Sequence, residues 1–164
     1  MRLSDVATNP FAVTAGIVMA AIILTLGVMT IGRPPQFSDD ATVTVRIDQA
    51  KLRADVAVSR EKLAKGLMGA EPLPDDQGML FVYEEPSTPR IWMKGVSFPI
   101  DIVWISGDTV TQVTPGVPPP KPGAADADLP RYSPDGPVDK VLEVDAGWAR
   151  RHSVQSGDPV RITR

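Results

Sequence analysis

Three hydrophobic patterns can be told apart along the chain. The first is Phe11 to Ile31, 21 residues without a charged side chain. As a helix rising about 1.5 Å per residue it would span roughly 30 Å, which matches a bilayer core. It is longer than the apolar region of a cleaved signal peptide and runs through Met29-Thr30-Ile31 into Gly32-Arg33-Pro34-Pro35. The expected organisation is therefore a short head (1–10), a single transmembrane helix acting as signal anchor (11–31), a proline-containing spacer (32–41) and one domain (42–164). The short head and the cation-poor exit from the apolar run favour a cytoplasmic amino terminus and an extracytoplasmic carboxy-terminal domain.

The second pattern is short alternation. Thr42 to Ile47 and Leu52 to Val58 switch between apolar and polar with period two, which predicts half-buried strands joined as a hairpin. Ser59 can cap a helix from Arg60 with Leu63 and Leu67 on one face, and Gly69 offers a stop. Met79 to Tyr83 is a continuous apolar strand, and Glu84 to Pro89 is a loop. Further along, Lys140 to Val144 and Val160 to Ile162 read as strands. Between these two, Asp145 is positioned to cap a helix over Ala146 to His152.

The third pattern is the densest: Ile91 to Ser106, IWMKGVSFPIDIVWIS. Ile91 to Lys94 is a short strand candidate, Gly95 permits a turn, and Ile100 to Ser106 is the strongest strand of the chain. Gly107-Asp108 turns the chain back into Thr109 to Val113. From Thr114 to Pro137 lie eight of the seventeen prolines, a loop unsuited to strand or helix and a candidate for binding. Many short strands, two short helices and no long crossover predict a mainly β (α+β) domain. The architecture expected is compact, antiparallel and barrel-like, preceded by one transmembrane helix.

Composition narrows the chemistry. The net charge is −3 with a sequence pI near 5.1, so nucleic acid is not an expected partner. With no cysteine and one histidine, His152, disulfides, thiolate chemistry and multi-histidine metal sites are excluded. No cofactor, metal ligand or catalytic residue is assigned. Ser133 lacks the strand–turn–helix setting of a hydrolase nucleophile. The residues singled out as ligand-binding candidates are Trp92, Lys94, Asp101, Tyr132 and Glu143.

Each candidate has a plainer alternative. Trp92 and Trp104 are core residues or the wall of a site. Lys94 and Asp101 interrupt an apolar run, and charges there need partners or water. They form either an ion pair at a barrel rim or the polar mouth of a ligand site. Glu143 and Asp145, two apart on one strand face, are either an acid–base or cation-binding pair, or a solvated face plus a helix cap.

An ordered series of short motifs then points to a family. Lys65-Gly66-Leu67-Met68, Leu73-Pro74 with Gly78-Met79-Leu80-Phe81, Trp92-Met93-Lys94 and Pro99-Ile100-Asp101-Ile102 come first. Val141-Leu142-Glu143-Val144, Ala146-Gly147-Trp148-Ala149 and Gly157-Asp158 follow. Together they resemble the domain of unknown function 192 family over roughly Val43 to Ile162. The resemblance implies a compact β-rich domain, often exported or anchored, and brings no mechanism. Relatives often carry a cysteine in the loop that here is Pro118-Pro119-Pro120-Lys121-Pro122, so Tyr132 at that loop's end is a point of comparison. The expected function is that of a binding or accessory module of the cell envelope. It would be held by the membrane through its helix and contact an envelope protein, peptide or glycan. The alternative is an envelope enzyme with a Lys/carboxylate cleft.

Overall fold

The computed structural model describes residues 37–164. The apolar run Phe11 to Ile31, and with it the expected anchor, lies outside the described residues. Among the described residues no helix is long and apolar enough to cross a membrane.

Seven strands form one sheet: β1 Thr42–Ile47, β2 Ala50–Ala57, β3 Gln77–Ser87, β4 Ile100–Ser106, β5 Thr109–Val117, β6 Val138–Asp145 and β7 Val160–Thr163. Their order across the sheet is β5-β4-β6-β3-β2-β1-β7. All neighbours are antiparallel except β2 and β3, which are parallel. Here the expectation of an antiparallel domain with no long crossover is corrected. Parallel neighbours cannot be joined by a hairpin, and the chain from Val58 to Asp76 carries α1 Arg60–Lys65 between them.

The sheet curls until its two edge strands meet at one end. Thr109 bridges Pro159. Val110 N–H donates to the Asp158 carbonyl (3.0 Å), Gly157 N–H to that of Val110 (2.8 Å) and Val160 N–H to that of Asp108 (2.8 Å). Alternation along every strand then gives the sheet an inner and an outer apolar face. The inner face is filled from all seven strands, among them Val45, Leu52, Leu80, Val103, Val110, Leu142 and Val160, closed by Trp148. The outer face of β3, β4 and β6 carries Phe81, Ile102, Trp104 and Val141. It is covered by Leu67 beyond α1 and by Ile91, Met93, Val96 and Phe98. The region Ile91 to Ser106 is thus split: its second half is the central strand, and its first half lies across the sheet's outer face.

Several boundaries differ from the sequence reading. Ser59 caps α1 as expected, its Oγ accepting from Lys62 N–H at 3.1 Å. The helix stops at Gly66 rather than Gly69, because Gly66 has φ of +47°, which favours a residue without Cβ. β3 continues through Ser87, so Glu84 to Ser87 belong to a strand. β5 continues to Val117 despite Pro115, with register shifts against β4. Ile91 to Lys94 is not a strand. It contributes one bridge, Ile91 to Tyr132, through which the end of the proline-rich loop is stitched down.

Candidate ligand-binding site

Glu143 occupies the middle of the sheet, opposite Met79 of β3 and Ile102 of β4. On β6 it shares the outer face with Val141 and is only 4% exposed. Burial in apolar surroundings disfavours the charged form of a carboxyl group and pushes the Glu143 acid up to about 8. Among the described residues no hydrogen bond reaches this carboxyl. It looks instead into a cavity of about 360 Å³. Tyr83 lines the same cavity, its hydroxyl pushed up to about 12 by burial and, secondarily, by the charge of Glu143.

The walls come from three elements. α1 and its exit supply Leu63, Ala64 and Leu67; β3 supplies Phe81 and Tyr83; and the chain from Pro89 to Val96 supplies Ile91, Trp92 and Met93. Trp92 is half-buried and carries two cations on its ring, Arg131 at 4.1 Å and Lys94 at 5.3 Å from the centroid. The Lys94 ammonium also bonds Asp126, in a single 3-10 turn, Asp126–Asp128. The proline-rich loop therefore steadies the wall through Asp126 and Arg131 without lining the cavity itself. A mostly apolar concavity with one fixed polar group on its floor is the usual form of a small-molecule site.

Three of the five sequence candidates, Trp92, Lys94 and Glu143, meet in this cavity. Tyr132 does not line it. Its backbone exchanges hydrogen bonds with Ile91 (2.8 and 2.9 Å) and holds that wall from behind. Asp101 lies on the other face of the sheet, alternating with Val103 and Ile105 of the inner core. The expected Lys94–Asp101 ion pair is thereby corrected.

Asp101 is fully buried and accepts three backbone amides: Gly116 N–H (2.8 Å) and Gly147 N–H (3.0 Å) at Oδ1, and Ala149 N–H (3.0 Å) at Oδ2. Gly147 and Ala149 begin α2, Trp148–Arg151. The cap of this helix is thus Asp101, from a strand 48 residues earlier, and not Asp145. Asp145 instead pairs with Arg151 at 2.9 Å, and Arg151 also holds Asp75 at 2.7 Å. Glu143 and Asp145 consequently part company, one turned into the cavity and the other tied at the surface. Among the described residues no group of three or more histidine and carboxylate side chains is gathered to hold a metal ion.

Sequence reasoning missed Tyr83, Arg60, Lys65 and Arg90. The alternation of β3 places Phe81 and Tyr83 on one face, a signal present in the sequence. The three cations become neighbours only because the crossover lays α1 beside the Pro89 to Val96 segment.

A family model, DUF192, described as Uncharacterized ACR, COG1430, matches residues 43–162. The chain belongs to this family. None of the curated proteins matches it. The DUF192 domain is similar in structure to a Sinorhizobium meliloti 1021 protein provisionally described as a transcription regulator. That match has 26% identity and a TM-score of 0.67, and covers 77% of this chain and 97% of the other. It is also similar to a Novosphingobium aromaticivorans DSM 12444 protein of unknown function, at 28% identity and a TM-score of 0.62, covering 73% and 83%. The cavity floor at Glu143 and its walls from Arg60 to Ile100 fall inside the matched DUF192 segment.

Proposed function

We propose that this DUF192 domain is a recognition module that holds a small organic molecule in the Glu143 cavity, and that its amino-terminal apolar run carries it on the outer side of a cell membrane. The observation behind the binding role is a buried carboxyl group facing an apolar cavity without a partner from the protein. Among the described residues no fully buried side-chain polar atom lacks a partner, so the Glu143 oxygens reach the cavity space, where a ligand carrying a hydrogen-bonding group would meet them. The placement at the envelope is supported by the uncharged run Phe11 to Ile31, which ends just before the matched segment begins. The net negative charge argues against extending to this chain the regulatory description given to one structural neighbour.

The test is a small-molecule screen on the full chain, followed by methyl NMR. Binders should shift the methyl groups of Ile91, Met93 and Val96. They should be lost on Ala64→Trp, which projects a ring into the cavity from an exposed helix position. Binders that map elsewhere, or that survive Ala64→Trp unchanged, would count against the site.

A second reading is favoured by Glu143 alone. An acid raised toward neutrality in a cleft is suited to donating a proton to a bound substrate. In that case Lys94, which lines the same cavity, would help place the substrate. Turnover lost in Glu143→Gln with binding retained would distinguish an enzyme from a binding module.

A further inference from the structure

The cavity walls contain a single carboxyl group, Glu143, and four cationic side chains: Arg60 and Lys65 from α1, Arg90 and Lys94 from the facing segment. Lys94 is engaged by Asp126. Arg60, Lys65 and Arg90 are exposed and make no ion pair among the described residues. A chain of net charge −3 thus gathers cations of one sign around its apolar cavity. Concave, low-dielectric walls focus such a field and raise the local concentration of ligands of opposite charge.

We infer that the cavity selects a small organic anion, its apolar body against Phe81, Ile91 and Met93 and its charged group at the mouth among Arg60, Lys65 and Arg90. This rests on the reading of the Glu143 cavity as a ligand site. Glu143 does not oppose it: burial keeps that acid largely protonated at neutral pH, so it neither repels an anion nor cancels the rim. In the protonated form it both donates and accepts a hydrogen bond, and so suits a hydroxyl or carbonyl in the ligand body. Carboxylates and phosphate monoesters share the required chemistry at the mouth. Arginine can hold either in a two-point contact.

A matched series separates head-group charge from body shape: 4-phenylbutyrate, 4-phenylbutyl phosphate, 4-phenylbutanol and 4-phenylbutylamine. Each is titrated into the full chain and followed at the methyl groups of Leu63, Ile91, Met93 and Val96. Both anions should bind about tenfold or more tightly than the alcohol, and the amine more weakly still. Raising the salt from about 50 to about 500 mM should shrink that ratio. The double variant Arg60→Gln, Arg90→Gln should shrink the anion-to-alcohol ratio severalfold, and an unchanged ratio would overturn the role given to these two cations. Preference for the phosphate or for the carboxylate would name the ligand source, and either supports the inference. Equal binding by all four molecules at these methyl groups would overturn the anion preference and leave the ligand site standing. Failure of every member to shift them would overturn both.

Discussion

Replacing Glu143 by glutamine tests the central energetic claim, that a proton is held in the folded chain by burial. The folded acid titrates near 8, against 4.5 for the unperturbed group. The sign follows from linkage. Below about 4.5 the acid is neutral in both states and costs nothing extra. As the pH rises the unfolded chain releases the proton while the folded chain keeps it, so stability falls, and the loss is complete once the pH passes about 8. Each tenfold difference in acidity between the folded and unfolded chain is worth about 1.4 kcal/mol. Wild type should therefore lose on the order of 4 kcal/mol relative to Glu143→Gln between about pH 5 and about pH 9. Glutamine preserves the shape and stays neutral throughout. The assay is urea unfolding of both proteins at closely spaced pH values, with only the difference between them interpreted. A difference that stays flat across this range would refute the reasoning, because it would mean that the Glu143 carboxylate is already solvated or paired in the folded protein.

Asp101→Ala should destabilise by roughly 3–5 kcal/mol, because it leaves three amides without an acceptor. Faster hydrogen exchange at Gly116, Gly147 and Ala149 would locate the damage, and protection unchanged at all three would contradict the role of Asp101 as their acceptor. Gly95→Ala should cost roughly 2 kcal/mol or more in chemical denaturation, since Gly95 has φ of +67° and a Cβ there would collide with Met68 Cγ. Asp75→Asn should flatten the acid limb of the stability curve. Hydrogen bonds from Arg151, then His152, hold the Asp75 carboxyl below its usual value, so its contribution is present above about 3.8 and fades as the pH falls through the lowered value. Equal slopes for the two proteins below about pH 4 would contradict this. Lys94→Met should cost no more than about 1 kcal/mol, as an exposed ion pair is removed. A collapse of thermal stability would instead make Lys94 a structural residue.

Local pattern carries the strands whose neighbours are close in sequence. Ile100 to Ser106 and its turn at Gly107-Asp108 follow from composition alone, as does the cap at Ser59. What the pattern does not contain is which distant segment covers a face. The run Val141 to Val144 places Glu143 on one side of a strand, yet whether that side meets solvent or Phe81 and Ile91 depends on the crossover and on the segment after Pro89. Asp101 illustrates the same limit. An aspartate in an apolar strand demands a partner, and the nearest cation by sequence, Lys94, is the natural expectation. The actual partners are backbone amides, which every residue but proline offers, so no side-chain pattern could single them out. Asp145 is a plausible cap by position, and loses that role because a carboxylate from the neighbouring strand reaches the same amides from within the core.

The meeting of β5 and β7 has a bearing on how this protein fares in a crowded compartment. A sheet margin with open amides and carbonyls recruits other extended chains, and that is a route to swapped dimers and fibrils. Here Val110, Gly157 and Val160 direct such groups at one another, so that stretch of the margin has little left to offer a passing chain. Contacts with other molecules are thereby steered toward side chains instead of exposed backbone.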